Sequence, residues 1–282
     1  MLMTLFQGRD VGPYHILTLK EVDSTNRYAL RNLGTLPDRQ VITADKQTGG
    51  YGRLGREWVS TVPGNIYMSI VLKPLGQSAG RDAAPATEPS NGNADDNAYE
   101  ALPLANLTQY MSVVLCRVLP EYGVNAEIKW PNDVLVQGRK LAGILGESKF
   151  QGSRFTGYVL GSGINLNMTH KDLESIDQPA VSLCVLVGKT VDRSAFLELL
   201  LGMFFSGYAP FLEKGFPSIQ KEYAARSSYL GKRIVVLSHK GRQAGVARRF
   251  TDRGLLVFKA DKGDEVELAA GDIQSVSEQA TP

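Results

Sequence analysis

The pattern of apolar and polar positions divides this chain into an α+β stretch followed by an all-β one. Residues 14–22 hold a short apolar run through Ile16, Leu17 and Leu19 and read as a strand, after which Asp23 or Ser24 can cap a helix over about 25–33. Val41-Ile42-Thr43 is a strand leading into a glycine-rich loop, and 65–72, dense in β-formers, is a buried strand. Leu104, Leu107, Met111, Val114, Leu115 and Val118 recur at helical spacing, so 103–120 is an amphipathic helix with its stripe turned to a core. Strand-like segments near 125–130, 133–137, 140–148 and 155–161 follow, with Gln137-Gly138 as a turn. Phe196, Leu199, Leu200, Met203 and Phe204 mark a second long helix over about 192–212. From Gly231 the period shortens to strands at 233–237, 243–250, 254–259 and 265–269, separated by Lys240-Gly241, Asp252-Arg253-Gly254 and Lys262-Gly263-Asp264.

The expected architecture is α+β. A mixed sheet flanked by helices occupies residues 1–228, and a small C-terminal β-barrel occupies 229–282. Residues 76–98 contain no Val, Ile, Leu, Met, Phe or Trp, so a segment at about 76–99 cannot bury a core face and is expected to be a mobile surface insertion.

Composition narrows the function. Of 282 residues, 43% are hydrophobic and 21% charged, ordinary values for a globular chain. A net charge of +2 provides no long-range field for nucleic acid or an anionic membrane. Cys116 and Cys184 are the two cysteines and form no close-spaced pair, while His15, His170 and His239 are scattered, so neither a disulfide framework nor a metal-ligand spacing is present. The N-terminal residues lack the form of a secretory signal, and no apolar run approaches the roughly 20 residues of a membrane span. A cytoplasmic location is expected.

The chemistry concentrates in a few segments. In Gly49-Gly50-Tyr51-Gly52-Arg53-Leu54-Gly55-Arg56, followed by Glu57 and Trp58, glycines free the backbone while Arg53 and Arg56 present guanidinium forks. Such a loop suits an anionic ligand. Its Gly-x-Gly-x-x-Gly spacing formally matches a dinucleotide fingerprint, but Pro63 and Gly64 follow where a helix must start, and no acidic residue lies about 20 positions on. Gly188-Lys189-Thr190 lacks the leading glycine of a phosphate loop, with Leu183 in its place, and reads as a turn. Lys129-Trp130-Pro131-Asn132-Asp133 sets a cation and two polar groups between β segments, either as a plain hairpin turn or as part of a site. Lys140 opens the strand that holds Gly143, a position permitting close approach of a ligand or a neighbouring strand. Gly161-Ser162-Gly163-Ile164-Asn165 places two glycines beside an amide able to read a polar ring edge. No serine elbow or Cys/His pairing suggests covalent catalysis by the protein.

Taken in this order, Ser24-Thr25-Asn26, residues 47–58, Lys129-Trp130-Pro131-Asn132-Asp133, residues 139–145 and 161–167 resemble a biotin protein ligase, over about residues 14–275. The resemblance implies a class II synthetase-like catalytic domain and a two-step reaction with ATP and Mg2+. Biotin becomes biotinyl-5′-AMP with loss of pyrophosphate, and a lysine of apo biotin carboxyl carrier protein then displaces AMP. It implies that Ser24, Thr25, Asn26 and Gln47 bind the biotin head group, that Tyr51, Gly52 and Arg53 close over biotin and the adenylate, and that Trp58 packs at the ligand's side. Gly143, Gly161 and Gly163 would admit biotin close to the backbone. Lys140 and Arg53 would be catalytic and would also touch both biotin and nucleotide. Arg56, Lys129, Asn132 and Asn165 would serve ATP or AMP, with Asp133 a magnesium ligand. Many relatives carry Arg where Tyr51 stands, and some carry a nucleotide-contacting Arg at about Val276, so that contact is not expected here. With about 13 residues before the first strand, a monofunctional ligase without a DNA-binding domain is expected, as monomer or homodimer, with no nucleic acid or membrane partner. The alternatives are a lipoate or octanoate ligase or transferase of related fold, and a catalytically idle biotin-binding module.

Overall fold

The computed structural model describes residues 7–11, 14–74, 104–238, 241–261 and 263–277. The expectation for about 76–99 lies outside these described residues. Eight strands form the larger sheet in the order β1-β2-β3-β4-β8-β7-β6-β5. They are β1 (Gln7–Val11), β2 (Tyr14–Val22), β3 (Gln40–Gln47), β4 (Ile66–Leu72), β5 (Glu127–Lys129), β6 (Asp133–Val136), β7 (Arg139–Gln151) and β8 (Arg154–Ile164). β2 and β3 pair in parallel, joined by helix α1 (Thr25–Arg31), and the other neighbours pair antiparallel, so the sheet is mixed. Ser24 caps α1 by accepting from the Arg27 amide, while Asp23 turns instead to Arg31 in a two-pronged pair of 2.6 and 2.8 Å.

Both faces of this sheet are covered, which explains why every residue of β4 is buried. On one face Met68, Ile70, Leu72, Ile144 and Leu160 meet α2 (Leu107–Val118) and α5 (Arg193–Lys214). On the other, Val71 and Val159 join Ala29 and Leu33 of the α1 segment in a smaller cluster. α5 is long and apolar enough by composition to cross a membrane, yet its Phe196, Leu200, Phe204 and Phe211 lie in the core. Its contact with α2 centres on Tyr110, whose hydroxyl donates to the Phe204 carbonyl at 2.6 Å and whose ring stacks on Phe211 at 4.5 Å.

Three short helices escaped the sequence reading, α3 (His170–Leu173), α4 (Leu183–Val187) and α6 (Gln220–Ala225), because each is too brief to show a period. Gly188 ends α4 at φ +70°, so Gly188-Lys189-Thr190 is the turn expected.

The second sheet is antiparallel, ordered β12-β11-β10-β9-β13. Its strands are β9 (Arg233–Ser238), β10 (Gly241–Phe250), β11 (Leu256–Ala260), β12 (Glu265–Leu268) and β13 (Asp272–Ser277). The end strands β12 and β13 are not paired with each other among the described residues. β13 was missed in the sequence because its register slips between Ile273 and Ser275, which breaks the alternation that would reveal it.

One core runs through both sheets. Phe250 of β10 packs edge-on against Tyr223 at 4.9 Å, and Ile234, Val236 and Phe258 belong to the same cluster as Trp130 and Phe216. Polar anchors add direction: Asn106 donates to the Arg253 carbonyl at 3.1 Å and Gln109 to the Gly254 carbonyl at 3.0 Å. Gly254 sits at φ +76°, and a Cβ there would fall 2.3 Å from Asn106 Nδ2 and 2.7 Å from Gln109 Oε1. Replacing Gly254 by Ala combines left-handed strain with that collision. We expect Gly254→Ala to lower the unfolding free energy by about 2 kcal/mol or more in a urea titration; a change within experimental error would show that the two sheets are not held at this point.

Candidate active site

The cleft begins with a patch of sheet that carries no side chains. Gly143 of β7 pairs with Gly163 of β8, and Gly161 pairs with Leu145 on one side and Ser69 on the other. What approaches these glycines is the chain itself. A Cβ on Gly161 would lie 2.3 Å from Asn26 Oδ1, one on Gly163 2.3 Å from Trp58 Cε2, and one on Gly143 3.1 Å from Trp58 Cζ3. The Trp58 indole therefore lies against two bare strands, and its buried N–H has no hydrogen-bond partner.

The start of α1 supplies the polar wall. Thr25 donates to Gln47 Oε1 from its amide (2.8 Å) and hydroxyl (3.2 Å), and Gln47 Nε2 donates to Ser60, which donates on to the Trp58 carbonyl. Ser69 reaches Thr25 Oγ1 at 2.8 Å and Asn26 Oδ1 at 2.5 Å. Ser24, Thr25, Asn26 and Gln47 are all buried, and all face the cleft. This relay fixes which end of each amide is turned where, and so gives the wall both donors and acceptors.

The glycine loop folds as a miniature hairpin. Trp58 N donates to Gly50 O, Gly52 N to Arg56 O, and Tyr51 bridges to Glu57. At its tip Leu54 (φ +57°) and Gly55 (φ +71°) both take the left-handed conformation, and Leu54 is 82% exposed. Of the loop glycines, then, Gly55 uses positive φ, whereas Gly50 is required for closeness, with Ser60 Oγ 2.3 Å from where a Cβ would sit.

The cations converge from three elements. Arg53 reaches Asn132 Oδ1 at 3.3 Å and the Gly271 carbonyl at 3.0 Å; burial pulls its pKa down, opposed by the nearby Asp133 and Asp272. Arg56 pairs with Asp272 at 2.9 Å, and Lys129 approaches the same carboxylate at 3.6 Å. Burial pushes the Asp272 pKa up, but Lys129 and Arg56 outweigh it and hold the group below the usual carboxylate range. Lys140 Nζ pairs with Asp133 Oδ1 at 2.9 Å, both largely buried, and lies 5.4 Å from the Trp58 ring centre.

Arg53, Arg56, Trp58, Asn132, Asp133, Lys140, Gly143, Gly161 and Gly163 line the same cleft as Tyr51, Gly52 and the α1 residues, around about 890 Å3 of space open to solvent. Lys129 and Asn165 do not line it. Lys129 touches it through Asp272. Asn165 is buried, and its amide donates to the carbonyls of Lys140 (3.4 Å) and Val181 (3.3 Å), tying the 179–181 segment to the strand that carries Lys140. Trp130, inside the Lys-Trp-Pro-Asn-Asp run, is a core side chain and leaves Asn132 and Asp133 to face the cleft.

Three participants were not read from the sequence. Glu147 continues the Gly143, Leu145 alternation along β7, a period-two signal that could have exposed it. Ser69 likewise opposes Gly161. Asp272 follows the last turn before β13, and no local pattern connects it with residues more than two hundred positions earlier. With Gly271 it brings the second sheet to the cleft even though Val276 supplies no arginine.

Among the described residues no group of three His, Cys, Asp or Glu forms a metal cage. Asp133 and Asp272 face the cleft as separate carboxylates already beside cations, a donor set suited to a magnesium ion that keeps water and phosphate ligands.

Comparison with known proteins agrees with this geometry. The model of the biotin/lipoate A/B protein ligase family matches residues 19–87 and 92–165. A biotin–[acetyl-CoA-carboxylase] ligase of Paracoccus denitrificans is 32% identical over 89% of this chain and 97% of its own length, and one of Mycobacterium tuberculosis is 31% identical over 84% and 79%. The structure of a biotin protein ligase from Aquifex aeolicus in complex with biotin and ATP superposes with a TM-score of 0.69 and 26% identity, covering 93% of this chain and 98% of that one. With the motif segments gathered in one cleft and these relatives matched along most of both chains, the chain belongs to the biotin/lipoate A/B protein ligase family, among its biotin protein ligases.

Proposed function

We propose that this protein attaches biotin to a lysine of an apo biotin carboxyl carrier protein, of the kind found in acetyl-CoA carboxylase, through biotinyl-5′-AMP. One observation carries the reading: a single cleft joins a wall of oriented donors and acceptors, at Thr25, Asn26 and Gln47 with Ser69 buttressing them from beneath, to a cationic end at Lys140 and Arg53, with Trp58 lying beside Lys140. A ureido ring needs the first, and a carboxylate meeting a phosphate needs the second.

In the first step a biotin carboxylate oxygen forms a bond to the α-phosphorus of ATP, and the bond to the bridging oxygen breaks as pyrophosphate leaves. Negative charge grows on the phosphoryl oxygens, where fixed cations act most strongly. We assign this stabilisation to Lys140 and Arg53, and support of the nucleotide to Arg56, Lys129 and Asn132. Asp133 holds the Lys140 ammonium in place and would offer an oxygen to a magnesium ion, which would supply charge to neutralise the phosphates. In the second step the acceptor lysine amine attacks the acyl carbon, and the C–O bond to AMP breaks. The glycine loop, closed over the cleft, keeps water from the mixed anhydride.

Incubation with ATP, magnesium, labelled biotin and an apo carrier domain should place the label on one carrier lysine, with pyrophosphate released and no transfer from lipoate. Equal transfer from lipoate points to the related ligases, and binding of biotin without pyrophosphate release to an idle module. Lys140→Ala should slow adenylate formation by a factor on the order of 10² to 10³, with the melting temperature tracked separately because Asp133 loses its partner. Unchanged single-turnover adenylation in that variant would remove Lys140 from catalysis.

A further inference from the structure

We infer that Glu147 is a positioning residue for the biotin pocket, a single carboxylate that sets both the Asn26 amide and the Tyr51 phenol. The inference rests on the ligase reading above and concerns how its pocket is held.

Glu147 does not line the cleft, but its Oε2 accepts from Asn26 Nδ2 at 2.7 Å and from the Tyr51 hydroxyl at 2.7 Å. Both are short bonds to a carboxylate, the stronger class of hydrogen bond. Their donors lie on separate elements, Asn26 on α1 and Tyr51 on the glycine loop, while Glu147 itself is on β7. One oxygen thus ties three pieces of chain together at the edge of the cleft.

Each bond has a consequence. With its NH2 held by Glu147, Asn26 presents Oδ1 to Ser69 and to the space over Gly161, which fixes the orientation of the amide. An amide without that partner has two orientations of similar energy, and one of them offers the ligand the wrong group. Tyr51 is held from two directions, its hydroxyl on Glu147 and its ring 4.5 Å below the Arg27 guanidinium. Burial and the Glu147 contact both raise its pKa, so the phenol stays a donor. Because Asn26 and Tyr51 share one acceptor atom, head-group orientation and loop position are coupled through Glu147.

Glu147→Gln keeps the size of the side chain and can turn its one amide oxygen to both donors, but it removes the negative charge that strengthens both bonds. It should raise the KM for biotin roughly tenfold, the loss of charge assistance from the two bonds. The KM for ATP should stay unchanged and kcat should fall much less. Tyr51→Phe, a conservative change that folds without difficulty, should weaken biotin binding and speed escape of the adenylate. The double variant should lose less than the product of the two single effects, since both act on the same contact. Equal biotin affinity in wild type, Glu147→Gln and Tyr51→Phe would overturn the inference, as would multiplicative effects in the double variant. A uniform rise in every KM with a lowered melting temperature would reduce Glu147 to general support. If the wild type itself binds no biotin by calorimetry, the ligase reading fails first; if it binds and only the variants are unaffected, Glu147 alone loses its role.

Discussion

The site depends on three glycines that leave a patch of β-sheet bare. Gly143, Gly161 and Gly163 adjoin across β7 and β8, and the space above them is taken by Asn26, Trp58 and the end of Lys140. A Cβ at Gly161 or Gly163 would overlap those groups by about an ångström, so the Asn26 amide or the Trp58 indole would have to leave its place. The same face of β4 and β8 carries Val71 and Val159 into the small apolar cluster beneath α1. Core and cleft are therefore successive stretches of one surface, and the change from branched side chain to glycine is what turns the first into the second.

Much of this was legible in the sequence because it is local. The strand periods, the Ser24 cap, the glycine loop and the glycine pairs of β7 and β8 each declare themselves within a dozen residues. Arg53 was readable as a ligand cation from its glycine loop, whereas Lys140, one lysine at the start of a strand, was assigned to the site only through the family resemblance. What stayed hidden was long-range. Asp272 meets Arg56 across 216 positions, and β13 carries a bulge that erases its alternation. Asn165 was readable as a polar residue beside glycines, but only the fold reveals that its amide is spent on the carbonyls of Lys140 and Val181.

The second sheet matters through two residues. Gly271 lends a carbonyl to Arg53, and Asp272 stands between Arg56 and Lys129. A carboxylate shared by two cations ties both of them to the second sheet. The sheet is fixed in turn by the α2 residues Asn106 and Gln109 and by the ring cluster around Phe250. The geometry of the cationic end is thus determined by packing on the far side of the large sheet.

The bond from Arg53 to the Gly271 carbonyl joins residues 218 apart in the chain. A tip loop and a terminal sheet that share a contact are two parts of one equilibrium. Whatever favours the closed loop also favours the seated sheet, by the same free energy in either direction. Reciprocity of this kind requires no moving hinge, only that the two surfaces meet at Arg53.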